Sequence, residues 1–426
     1  MTEKPSAAPK AEASKTEVST WHPSRVAFQH RDFRWFQLAR LLNVVGAEML
    51  ALAVGWQLYE LTHRAIDLGY AGLAQFLPAF FLILAAGHVA DRFDRRAILL
   101  VCFTLYIVGT GLLLYLTLTG NRATMPIFAV LLMFGAVRSF SGPSAQALLP
   151  QVVPPEHFPN AVTWAASTFQ AGTILGPALG GVIYAATKGA AWVYGVALIF
   201  YSVGWLCLFV MHVRTGRMEK KDISIETLLA GFKFVWQQKI VLGCISLDLF
   251  AVLLGGATAL LPIFAKEILA VGPWGLGILR SAPAVGAVLM AYALSHHPLR
   301  KSAGVTMLWC VAGFGAATVV FGISKSFALS LAALFIVGAT DMVSMIVRGT
   351  LVQLYTPPEM RGRVSAVNLL FIGASNEFGQ FESGVTAQWW GAVTSVVVGG
   401  IGSIAVVLMW AWRFPEIRKV ETLGEK

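Results

Sequence analysis

Apolar runs long enough to cross a bilayer recur along almost the whole chain, separated by short polar loops. A helix needs about 20 predominantly apolar residues to span the hydrocarbon core. Such runs fall near 36–60, 66–90, 97–119, 124–147, 160–186 and 190–213, and again near 240–265, 273–296, 303–323, 327–350, 364–388 and 391–413. The polar stretch RTGRMEKKDISIETLLAGFKFVWQQK lies between the two sets. The pattern predicts an all-α integral membrane protein with twelve transmembrane helices in two pseudo-symmetric six-helix bundles. Residues 1–34 read as a disordered and then interfacial tail, 35–213 as the first bundle, 214–239 as a linker, 240–413 as the second bundle and 414–426 as a closing tail. MTEKPSAAPKAEASKTEVST has no apolar core of the signal-peptide kind.

Composition strengthens this reading. Hydrophobic residues make up 57% of the chain and charged residues 13%, whereas a soluble domain is about a quarter charged. A formal net charge of +10 raises the possibility of nucleic acid, but the basic residues are distributed by loop. Alternate loops hold only Arg64, Arg122, Lys188, Lys266 and Lys325, and the spans hold Arg40, Arg138, Arg280 and Arg348. The rest of the 32 Lys and Arg fall in the termini and the other loops. The positive-inside rule then places both termini in the cytoplasm. Cys102, Cys207, Cys244 and Cys310 stand singly in apolar segments, without metal-ligand or disulfide spacing. No nucleotide-binding glycine loop, HExxH or nucleophile motif is present. An enzyme is not expected, nor is a metal or resident cofactor.

The halves also repeat. PQVVPPEHFPNAVTWAASTFQAGTILGPALGG from Pro150 aligns without gaps on QLYTPPEMRGRVSAVNLLFIGASNEFGQFESG from Gln353, an offset of 203 residues. Pro154, Pro155 and Glu156 fall on Pro357, Pro358 and Glu359. Gly172, Gly176 and Gly180 fall on Ser375, Gly379 and Ser383, a small residue every fourth position. Duplicated bundles related by an axis along the membrane normal are a transporter architecture.

GHVADRFDRRAILL, residues Gly87 to Leu100, resembles the loop signature of the major facilitator superfamily, Gly-x-Leu-Ala-Asp-Arg-x-Gly-Arg-Arg. Gly87, Ala90, Asp91, Arg92, Arg95 and Arg96 match it, Val89 replaces the Leu and Asp94 the second Gly. Asp tolerates positive φ better than most residues, so the turn is expected to survive. FSGPSAQALLPQVVPPEHFPNA and TPPEMRGRVSAVN resemble the bacterial branch that contains the enterobactin exporter and related drug-efflux-type carriers. The resemblance implies that this loop latches the cytoplasmic ends of the halves together, with Asp91 near a helix N-terminus and the arginines gripping carboxylates or anionic headgroups. GTILGPALGG resembles the family's antiporter motif, with Gly172, Gly176, Pro177, Gly180 and Gly181 in register. That motif points to export.

An ionisable side chain near the bilayer centre costs at least about 2.5–3.5 kcal/mol on insertion scales and reads as functional by default. Glu48, Arg138, Asp248, Asp341 and Glu377 qualify by position. Arg138 and Asp341 are equivalent under the 203-residue offset. A structural ion pair of Arg138 with Glu48 or Asp341 is the alternative to a substrate or proton role, with Glu48 and Asp341 the first choices for proton coupling and Glu377 in reserve. The expected function is proton-coupled efflux of a small organic molecule, drug-like or siderophore-like, by a monomeric carrier of a bacterial inner membrane. Its expected partners are that substrate, protons and lipids, with no nucleic acid. A symporter or facilitator on the same fold, and a non-transporting receptor or scaffold, are the rival readings.

Overall fold

The computed structural model describes residues 23–212, 225–297 and 302–420, with only the backbone described at Pro23, Ile83, Leu84, His88, Ala90, Asp91 and 225–228. The expected disordered tail at 1–20, residues 213–224 with the first part of the expected linker, residues 298–301 and the last six residues lie outside the described residues. Within them the first half contains α1 Arg31–Thr62, α2 Ala65–Arg92, α3 Arg95–Leu118, α4 Met125–Leu148, α5 Phe158–Thr187 and α6 Ala190–Val210. The second contains α7 Ile225–Gln237, α8 Lys239–Leu254, α9 Gly272–His296, α10 Ala303–Ile323, α11 Phe327–Leu354, α12 Arg361–Trp390 and α13 Ala392–Arg413. All described regular structure is helical. Long helices satisfy every interior backbone group within one segment, as the bilayer core demands.

The fold is that of the twelve-span expectation, with two departures. The stretch 225–237, read as part of a polar linker, forms the additional helix α7. Its ring at Phe232 lies 5.8 Å from Phe371 of α12 and Val235 is buried, while Lys233 and Gln237 are exposed together with Leu229 and Trp236. The span expected at 240–265 is broken. Helix α8 stops at Leu254, a 3-10 turn covers Ala257–Leu260, and Leu261–Ile263 leads into a π-helical turn at Phe264–Ile268. Gly255 and Gly256 cause the break. A β-carbon on Gly256 would stand 2.6 Å from the Gly379 carbonyl, and Gly255 packs on the Phe314 ring. Two residues without side chains let these neighbours in and give the backbone little helical preference.

Among the described residues eleven stretches combine the length and apolarity of a span, the broken Lys239–Ile268 being one of them. Helix α12 has the length but carries Asn376, Glu377, Gln380 and Glu382. The internal repeat is visible in the backbone. Each Pro-Pro-Glu copy forms a 3-10 turn, Pro155–His157 and Pro358–Met360, and the helices that follow share the same 203-residue register at both ends.

Each half packs in the same way. Helix α1 lies against α5 and α6, and α2 against α4; α8 lies against α12 and α13, and α9 against α11. The halves meet along two seams, α5 with α9 and α2 with α12. In the first, a β-carbon on Gly181 would meet the Pro273 carbonyl at 2.6 Å; in the second, one on Gly384 would meet Gly69 Cα at 2.8 Å. Such distances require glycine and show backbones in direct contact. Both contacts lie near the end of the molecule where α1 turns into α2.

Candidate transport site

At mid-depth the two halves are joined by charge. Glu48 of α1 reaches Arg280 of α9 at 3.5 Å, and Arg138 of α4 reaches Glu377 of α12 at 3.4 Å. Glu377 also accepts a hydrogen bond from Gln380 at 3.2 Å. Arg138 sits in the middle of α4, yet its side chain is 68% exposed. A guanidinium open to that extent within a span lies along a cleft between the halves. Partly hydrated pairs of this kind contribute on the order of 1 kcal/mol or less, so they orient the halves without fixing them.

The sequence alternatives for Arg138 are therefore corrected. Its partner is Glu377, not Glu48 or Asp341. Helix α4 packs on α2, and α2 is held glycine-to-glycine against α12, which brings Glu377 within reach. Glu48 pairs with Arg280, a basic residue visible within a span but not singled out. Asp248 and Asp341 lie elsewhere, inside the second half. Asp248 of α8 forms a buried ion pair with Arg348 of α11. Asp341 has no ion-pair or hydrogen-bond partner among the described residues. The five candidates thus divide into a cross-half group and a separate group between α8 and α11.

Toward the end where α1 meets α2, a second cross-half cluster was missed by the sequence reading. Tyr59 donates a short hydrogen bond to Glu267. Lys266 lies 3.9 Å from Glu60 and within 6 Å of the Trp56 and Tyr59 ring centres. Glu60 accepts from Trp56 at 2.8 Å and from Tyr184 at 2.9 Å. The π-helical turn presents Lys266 and Glu267 side by side, so that one π-turn grips the C-terminal end of α1 twice. Sequence placed Lys266 in an outer loop, and only the broken α8 brings it to α1.

The small-residue stripe divides its work. Gly172, Gly176 and Gly180 face α1, where added β-carbons would meet Val44 at 2.5 Å, Glu48 at 2.5 Å and Met49 at 3.2 Å. Gly181 and the Pro177 carbonyl face Gly277 of α9 across the seam. In the signature loop, Gly87 and Arg92 belong to α2, and Arg95 is buried at the start of α3. Asp94 accepts from the Arg96 amide at 2.9 Å and caps α3, with φ −60°. The positive φ anticipated for Asp94 does not occur, because the residue is an N-cap in extended conformation. Arg96 was expected to grip carboxylates or headgroups. It donates instead to the Leu208 and Phe209 carbonyls at 2.8 and 2.5 Å, closing the C-terminus of α6. The Asp91 side chain lies outside the described residues.

A larger cavity of about 820 Å³ runs along α12, lined by Phe80, Leu253, Phe378, Phe381, Glu382 and Trp389 among others. None of the five charged candidates lines it. Among the described residues no group of three or more His, Cys, Asp or Glu side chains is arranged to hold a metal.

Residues 18–424 match the profile of a family described as transmembrane secretion effector. The enterobactin exporter EntS of Citrobacter koseri is 25% identical over 395 residues, covering 92% of this chain and 93% of that protein. The enterobactin exporter EntS of Escherichia coli O157:H7 is 25% identical over 392 residues, with the same coverage. Among solved structures, a bacterial homologue of the human lysosomal transporter Spinster, in its inward-facing unoccupied conformation, superposes with a TM-score of 0.68. That match has 14% identity and covers 96% of this chain and 100% of the other. The nucleoside transporter NupG superposes with a TM-score of 0.66 at 14% identity, covering 91% and 99%. The chain belongs to the transmembrane secretion effector family of the major facilitator superfamily, and is a multi-pass membrane transporter rather than an enzyme.

Proposed function

We propose that this protein exports a small organic molecule across a bacterial inner membrane in exchange for protons, by alternating access. The observation that carries the reading is the pair of cross-half ion pairs, Glu48–Arg280 and Arg138–Glu377, in a cleft pinched at one end. Charges on facing halves can bind a polar solute when separated and bind one another when the solute has left. Both termini lie in the cytoplasm in this proposal, so the pinched end faces outward and the cleft opens inward. A monomer suffices, since one chain supplies both halves. The relatives' names favour a siderophore-like cargo, and the guanidinium groups of Arg138 and Arg280 suit the acidic oxygens of such a molecule.

The test is flux. Proteoliposomes carrying the full chain and a pH gradient are loaded with an enterobactin-type catecholate or a cationic dye, with internal pH followed alongside substrate loss. Export should move protons in the opposite direction, and Glu48→Gln or Glu377→Gln should lower the rate at least tenfold. Flux that ignores the gradient would instead indicate uniport. Orientation is checked by cysteine labelling: positions 188 and 325 should react from outside the cell and 220 and 301 only from inside.

A further inference from the structure

We propose that Trp56, Tyr59, Glu60 and Tyr184 form a binding site for an organic ammonium ion, and that Lys266 of the other half fills it while the outer end is closed. The site needs only the geometry of these residues. That it opens to the outside of the cell rests on the orientation proposed above.

Trp56, Tyr59 and Glu60 stand at i, i+3 and i+4 on α1 and so share one face of that helix. Tyr184 joins them from α5, its ring centre 6.2 Å from that of Trp56. Trp56 Nε1 donates to Glu60 Oε1 at 2.8 Å, and the Tyr184 hydroxyl donates to Glu60 Oε2 at 2.9 Å. The carboxylate is thereby held between the two aromatic side chains, yet 41% of the Glu60 side chain is open to solvent. The Lys266 ammonium lies 5.9 Å from the Trp56 ring centre, 5.7 Å from that of Tyr59 and 3.9 Å from Glu60. A ring face carries negative potential and attracts a cation within about 6 Å, and the ammonium keeps N–H donors for the carboxylate. Two rings and a carboxylate around one nitrogen recognise an alkylammonium ion, and Lys266 is such an ion tethered to the chain.

The four recognising residues all belong to the first half, and Lys266 belongs to the second. Parting of the halves at this end withdraws Lys266, with Glu267 beside it. The two hydrogen bonds to Glu60 lie within the first half and stay. What remains is one carboxylate against two rings, a charge matched by a monocation. Arg64, one turn further along, is engaged with Asp67 at 3.9 Å. A free ammonium ion in this site excludes Lys266 and holds the outer end open, and closure expels it. Ligand and Lys266 are thus competitors, and the ligand shifts the conformational balance because it binds one state only.

Thermal unfolding of the purified full chain in detergent tests the site without a membrane, in ethylammonium chloride against sodium chloride at equal concentration. In Lys266→Ala, ethylammonium should raise the midpoint saturably above the value in sodium chloride. Adding Glu60→Gln should abolish the difference, and adding Trp56→Leu should weaken binding about two- to thirtyfold. No excess over sodium chloride in Lys266→Ala, or an undiminished excess with Glu60→Gln, overturns the proposal. Glu60 is partly exposed, so its variant decides the matter if Trp56→Leu does not fold. Competition is read in the wild type by spin labels at positions 188 and 325 in proteoliposomes. Ethylammonium added on the outside should populate the longer separation, and no change from either side refutes the plugging by Lys266. A response only to ethylammonium inside, with the thermal result intact, would support the site while refuting the proposed orientation.

Discussion

Arg96 is a helix cap, and its value can be measured as one. The last carbonyls of a helix have no partner in the helix and carry partial negative charge, so a guanidinium donating to two of them offsets both deficits. Arg96→Ala should therefore lower stability by about 1–2 kcal/mol, read as a lower midpoint in thermal unfolding in detergent. His30 offers a test by pH. Its Nε2 lies 2.9 Å from Nδ1 of His157, beside Arg31, Asp32 and His212. Burial, and secondarily the charge of His157, pull the His30 pKa below its ordinary 6.5. The folded protein then binds this proton less readily than the unfolded chain. The stabilisation is complete above about pH 6.5 and is lost as pH falls through that value toward the depressed one. The opening equilibrium of Pro23–Gln29, which docks on Asn160 and Trp164, should rise between pH 7 and 5, read as hydrogen exchange corrected for its intrinsic dependence on pH. The rise should be weaker in His157→Phe.

Among the elements, the seams decide which conformation prevails. Gly384 touches Gly69, and Gly181 touches the Pro273 backbone, so neither position has room for a methyl group while the outer end is closed. Gly384→Ala should cost the closed state about 1–3 kcal/mol, the range for overpacking, without harming the packing inside either half. Spin labels at positions 188 and 325 should show the longer separation more populated than in the wild type. An unchanged distance distribution would mean that the seam yields without opening. The small-residue stripe in α5 was legible from sequence because the four-residue spacing puts those residues on one face. Which neighbour each glycine meets was not, since Gly180 and Gly181 are adjacent in sequence yet face different halves.

At the scale of the whole molecule, closure depends on groups from opposite halves meeting at the outer end. Glu60 and Lys266 are partly exposed, so their attraction is modest, about 1 kcal/mol or less. Lys266→Glu should reduce the population of the closed state up to about fivefold and add repulsion with Glu60 and Glu267. Adding Glu60→Lys should recover part of the loss, as judged by the same pair of spin labels. No recovery in the double variant would assign closure to the glycine seams alone.

The order of residues alone was enough to read the class, the expected twelve spans, the internal repeat and the family resemblance. Burial in lipid imposes long apolar runs, and duplication leaves Pro-Pro-Glu and a stripe of small residues in matching register. It also marked Glu48, Arg138, Asp248, Asp341 and Glu377, because charge in a span is costly enough to be conspicuous. What it left open was pairing. Periodicity fixes the face of a helix on which a side chain stands, but not which helix stands opposite. Only the packing of α2 on α12 brought Arg138 to Glu377, and only the break at Gly255–Gly256 carried Lys266 and Glu267 to α1. An ion pair or hydrogen bond needs its groups at contact distance, so partners hundreds of residues apart are chosen by the tertiary fold.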